Sequence, residues 1–145
     1  MHSDAGFRKE EKDGIDAGRS QRGANFIRLG AGSETSTHGR PCHVLDWHCS
    51  SLKVVTRSTF ASETQAAIAA TDAALMLGLT LHEIQSGPVT PRVGMTLMQD
   101  GGLNMHINLG VDAMNLVSAI QAAQLRTPSE RAMIVQLLWL KEVSV

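Results

Sequence analysis

Cysteine is scarce in this chain: Cys42 and Cys49 are the only two in 145 residues, so no disulfide framework stands in for a hydrophobic core. Apolar runs are short, and none reaches the roughly 20 residues needed to span a bilayer. The opening MHSDAGFRKEEKD is polar and charged, unlike a signal peptide or an amphipathic transit sequence, so a soluble intracellular protein with no membrane partner is expected. An excess of one charge is also missing. The net charge of −1 argues against strong autonomous binding to nucleic acid. Residues 1–57 are mildly basic and residues 58–145 mildly acidic, too small an asymmetry to identify a partner. No internal repeat or low-complexity tract is present. Ser50, Ser51, Ser58 and Ser62 lack the glycine pattern of a nucleophile elbow. Gly30-Ala31-Gly32 is a turn signal and not a phosphate loop, because no helix opening with Lys-Ser/Thr follows it.

What is present suits a globular fold. Hydrophobic residues make up 43% and charged residues 19%, and the length fits one domain over 1–145 with a single core. The first half reads as strands and turns. A short strand is expected over residues 2–7 and a loop over 8–18. A second strand over 22–30 contains Phe26 and Ile27, and a third covers 41–48. In the third, simple alternation puts His43, Leu45 and Trp47 on one face and Cys42, Val44 and Asp46 on the other. The period then changes. Residues 58–84 are rich in Ala and Leu, with Ser58 or Thr59 as N-cap and Gly87-Pro88 as the stop, which predicts a helix on the order of 40 Å long.

A short helix is expected over 92–98. Residues 105–111 alternate, with Met105, Ile107, Leu109 and Val111 on one face, and read as a strand; a helix over 113–123 follows. Thr127-Pro128-Ser129-Glu130 is a capping box with proline at the first helical position, and Met133, Leu137 and Leu140 then recur at helical spacing. The sum is an α+β (mixed α/β) domain: a three-stranded antiparallel meander, a long helix, then a strand parallel to the first and C-terminal helices. Cys42, His43, His48 and Cys49 invite a zinc reading. Each pair is of adjacent residues, however, and neighbours on a strand point to opposite faces.

That order of elements resembles the ribonuclease H domain, most specifically the branch found in copia-type retrotransposon polyproteins. HSDAGF (2–7) looks like the family's first strand, and GRSQRGANFIRL (18–29) resembles the turn and second strand. Asp46–Lys53 resembles the tryptophan-containing end of the third strand. RSTFASETQAAIAATDAAL (57–75) is similar to the helix that carries the family's Glu after a Ser-Thr pair. Val111-Asp112-Ala113 looks like the end of the fourth strand, and TPSERAMIVQLLWLKE (127–142) like the late helix. The resemblance implies a chain cut at both ends. The family's first strand begins several residues before the position of Met1, and the family continues past the last helix to a fourth carboxylate without counterpart here.

Asp4, Glu63 and Asp112 match the positions of the other three carboxylates, so the resemblance implies that they are catalytic and hold Mg²⁺ or Mn²⁺. It implies an RNA–DNA hybrid as substrate and an adjoining reverse transcriptase domain as usual companion. Hydrolysing RNA needs an activated water and neutralised phosphate charge, which two divalent ions about 4 Å apart can supply. Mg²⁺ prefers oxygen ligands, which is why several carboxylates must converge. With three in place of four, hydrolysis is expected to be impaired, and a first strand that starts only at Met1 leads to the expectation of a short ladder and a marginally stable fold. Each residue also has an ordinary reading: Asp4 as a solvated acid near a terminus, Glu63 as a carboxylate favoured near a helix N-terminus, Asp112 as a helix N-cap. Glu63 stands apart because Ala66, Ala67, Ala70 and Ala74 share its face. Two other functions remain open: a non-catalytic remnant, and an α+β interaction module using the exposed side of the Ala-rich helix.

Overall fold

The computed structural model describes residues 1–6, 20–30, 41–53, 56, 58–122 and 133–143. Four strands form one sheet in the order β3-β2-β1-β4: β1 (His2–Gly6), β2 (Gln21–Leu29), β3 (Cys42–Ser51) and β4 (Gly110–Val111). β1 and β2 pair antiparallel, as do β2 and β3, and β4 lies parallel to β1. The helices are α1 (Thr59–Ser86), α2 (Pro91–Gln99), α3 (Met114–Gln121) and α4 (Ile134–Val143). The expected α+β architecture is therefore observed as a mixed four-stranded sheet with four helices among the described residues. The loop over 8–18 and the capping box at Thr127–Glu130 lie outside them.

β1 contains few strand formers, and its conformation comes from its place between two partners. Ser3 and Ala5 face inward and are buried, while His2, Asp4 and Gly6 are exposed. On β2, Ala24 and Phe26 turn inward and meet Ala70 and Ala74 of α1. The small side chains of that helix face let it lie close to the sheet. α1 is long and apolar enough by length and composition to cross a bilayer, but ten of its residues are buried within this fold. Ser58 caps it by accepting from the Ala61 amide at 3.1 Å, and Gly87 ends it at φ 94°, a left-handed conformation that glycine adopts without strain.

A second cluster gathers Ala67, Leu116, Leu137 and Leu140 where α1, α3 and α4 meet. Met133 is also buried, so the spacing of Met133, Leu137 and Leu140 marks the inner face of the last helix as expected. Gln65 donates to Gln136 across the α1–α4 contact at 2.9 Å, and the Lys141 ammonium donates to the Ala122 carbonyl at the end of α3. That placement suits a cation near a helix C-terminus.

Two expectations are corrected. The alternation on the third strand breaks: Asp46 lies opposite Phe26 but Val44 lies opposite Ile27, so Leu45 is an extra residue in a β-bulge on this edge strand. The strand over 105–111 is a ladder only at Gly110 and Val111. Burial alternates along 105–111 as the sequence predicts, but β1, the partner strand, does not reach alongside residues 105–107.

Candidate metal centre

Three elements deliver one carboxylate each. Asp4 stands on the exposed side of β1, Glu63 in the second turn of α1, and Asp112 immediately after β4. Their ligand atoms lie within 4.8 Å of one another, with Glu63 buried and the two aspartates exposed. This is the set of three residues marked in the sequence, brought together from positions 59 and 49 residues apart along the chain.

The ordinary readings of these residues weaken on inspection. The N-cap of α3 is Ala113, without a side-chain cap, so Asp112 does not perform that role. The first turn of α1 has no acid, and Glu63 sits beyond the reach of the macrodipole's strongest effect. Asp4 remains exposed, and its pairing with Gly23 in the β1–β2 ladder fixes its position.

The electrostatics at Glu63 follow from its surroundings. Burial, then the Asp112 charge, then the Asp4 charge raise its pKa from 4.5 to about 7, while a hydrogen bond from the Ala5 backbone amide opposes them. One of its oxygens, Oε2, is buried without a hydrogen-bond partner. A buried carboxylate with one oxygen lacking a donor, close to two further carboxylates, is a poor arrangement for protein alone and a fitting one for a cation. The donors are all hard oxygens, which suits Mg²⁺ or Mn²⁺ better than zinc.

Residues that the sequence did not mark hold α1 at this height. Ser20 Oγ lies 3.1 Å from Thr56 Oγ1, Thr56 Oγ1 lies 2.6 Å from Ser62 Oγ, and Ser62 donates to Ser20 at 2.9 Å. This buried hydroxyl triangle joins the start of β2 to the first turns of α1, next to Glu63. The Leu52 amide, donating to the Ser20 carbonyl at 2.8 Å, ties in the end of β3. No local motif announces the triangle, because its members are 36 and 42 residues from Ser20. Cys42 and Cys49 are exposed at opposite ends of β3, and with His43 and His48 they form no metal-binding group among the described residues.

No family model, curated protein or solved structure matches the chain.

Proposed function

We propose that this chain is a ribonuclease H-like domain of copia-type retrotransposon origin that uses Asp4, Glu63 and Asp112 to hold Mg²⁺ or Mn²⁺ and hydrolyses the RNA strand of an RNA–DNA hybrid. The observation that carries the proposal is the convergence of those carboxylates to within 4.8 Å, with an unpartnered buried oxygen on Glu63. The topology supports it: an antiparallel β1-β2-β3 meander, a long helix, then β4 parallel to β1. That order matches the elements through which the sequence resembles the ribonuclease H family.

A divalent cation there supplies neutralisation of charge on a phosphate and activation of a water. The chain's own part is positional. α1 holds the Glu63 carboxylate in the interior, where it is poorly solvated, and the exposed Asp4 and Asp112 leave the site open for a phosphate to approach. Mg²⁺ favours six oxygen ligands, and three carboxylates completed by waters serve one ion better than two.

The test is calorimetric titration with Mg²⁺ and Mn²⁺, alongside cleavage of a labelled RNA–DNA hybrid. The expected result is divalent binding and weak, metal-dependent cutting of the RNA strand, both lost in Asp4→Asn and Glu63→Gln. Absence of divalent binding at millimolar concentrations would overturn the metal-centre reading. Binding without cleavage would remove hydrolysis and leave a non-catalytic cation-binding domain.

A further inference from the structure

β3 is the outer strand of the sheet, and among the described residues no strand pairs with its far edge. An open edge recruits other strands unless lysine, proline, other charges or a bulge guard it. Between Cys42 and Ser51 there is no Lys or Pro, and the only acid is Asp46. The bulge at Leu45 is the remaining guard. α1 packs over β1 and β2, so β3 projects past it, with Val44 65% and Trp47 69% exposed.

The bulge resets the direction of the side chains. Asp46 and His48 lie opposite Phe26 and Ala24, which are buried toward α1, and the His48 ring stacks on Phe26 with centroids 5.8 Å apart. Trp47 and Cys49 therefore face away from the helices. Beyond the bulge, Val44 and Cys42 lie opposite Ile27 and Leu29, the outward positions of β2, and face away as well. His43 turns to the helix side, as does Leu45, which lines a cavity with Leu77 and Leu81 of α1. The inward and outward order from Cys42 to Cys49 is thus symmetric about the point between Leu45 and Asp46. No other centre gives a match on both sides of the bulge. The residue types follow the same symmetry: Cys42 matches Cys49, His43 matches His48, and Val44 matches Trp47.

We propose that β3 is a self-association edge, where a second copy of this chain pairs antiparallel about a two-fold axis between Leu45 and Asp46. Two four-stranded sheets then join into one, with the helices of both copies on the same side. The bulge guards the edge against ordinary strands, but two identical bulges facing each other carry matching extra residues. On the open face, Val44 of each copy packs beside Trp47 of the other. On the helix side, Asp46 stands opposite Leu45 of the second copy and diagonal to its His43, an imidazole donor for the carboxylate. Sliding the register one residue would set Asp46 against Asp46, or against Val44 on the wrong face. Cys42 falls opposite Cys49 of the second copy, with Cα atoms about 4.5–5.5 Å apart, inside the range that a disulfide spans. Within one chain the two lie roughly 20 Å apart along the strand at about 3.4 Å per residue, too far to join. β4, beside the carboxylate cluster, is the opposite edge of the sheet, so the pairing does not depend on the cation site.

The experiment is sedimentation of the 145-residue chain under reducing conditions, followed by oxidation with diamide, which takes two electrons and two protons for each disulfide formed. A concentration-dependent dimer is expected, and after oxidation a covalent dimer whose peptide map joins Cys42 to Cys49. Cys42→Ser and Cys49→Ser should each give no covalent dimer alone, and a covalent dimer when mixed. Val44→Lys, at an exposed position, should keep the circular dichroism spectrum and weaken association at least tenfold. A monomer at all concentrations up to the millimolar range would overturn the proposal. So would links of Cys42 to Cys42 or Cys49 to Cys49, covalent dimer from either single variant, or unchanged association of Val44→Lys.

Discussion

Glu63 combines two costs in one side chain: its carboxylate is removed from water, and two other carboxylates stand within 4.8 Å of it. Both costs fall on the ionised form. Because the folded-state pKa is raised, the stabilising effect of protonation is fully present below the unfolded value of 4.5 and is lost as pH rises through about 7. In chelator-treated protein, stability should therefore fall by on the order of 1–3 kcal/mol between about pH 4.5 and 7.5, and Tm with it. Glu63→Gln should flatten this part of the profile and raise the Tm at pH 8. A wild-type curve that stays level across that window would show Glu63 to be better solvated than its burial implies. Cations act in the opposite direction. Mg²⁺ or Mn²⁺ should raise Tm more at pH 8 than at pH 5, because at pH 5 the proton already occupies Glu63. Asp4→Asn should raise metal-free stability slightly at pH 8, because it removes one of the charges that disfavour ionised Glu63, and weaken divalent binding at least about tenfold, or about 1.4 kcal/mol, in a calorimetric titration.

Among the elements, α1 carries the most. It supplies Glu63, the Ala face against β2 and a share of the cluster shared with α3 and α4. Ser58 gives its N-terminus a side-chain cap, so Ser58→Ala should lower stability by about 1 kcal/mol in denaturant titration. Leu137 of α4 is fully buried against Ala67 and Leu116, and Leu137→Ala should cost about 2–5 kcal/mol through lost burial and the cavity left behind. Trp47, by contrast, is 69% exposed on the edge strand β3, and Trp47→Ala should change stability by less than about 0.5 kcal/mol. A larger loss for Trp47 than for Leu137 would mean that the core does not lie between the helices and the inner face of the sheet.

For the molecule as a whole, burial is one-sided. Helices cover the sheet face that carries Ser3, Ala5, Ala24 and Phe26, while β3 is exposed along most of its length, with Val44 and Trp47 among its open apolar residues. The ladder between β1 and β4 has two residue pairs, against five between β1 and β2. Local opening follows pairing and burial, so native-state hydrogen exchange should find the slowest amides in α1 and the centre of β2, with residues 105–111 opening well below the global free energy. Slow exchange through 105–109 in the free protein would show that a strand already sits beside them.

The sequence by itself determined the elements whose signals are local. The change from strand to helix near Ser58, the stop at Gly87, and the spacing of Met133, Leu137 and Leu140 are set by capping, backbone freedom and periodicity, all read within a few residues. Resemblance, not periodicity, singled out Asp4, Glu63 and Asp112. Taken residue by residue, two of them looked like a solvated acid and a helix cap. Their approach was decided by the tertiary structure, because a strand, a helix turn and a strand end meet only when β4 packs beside β1 under α1. The bulge at Leu45, the hydroxyl triangle of Ser20, Thr56 and Ser62, and the shortening of the 105–111 ladder were decided there as well. Each depends on which residues stand opposite one another across the fold, and a linear pattern carries no record of that register.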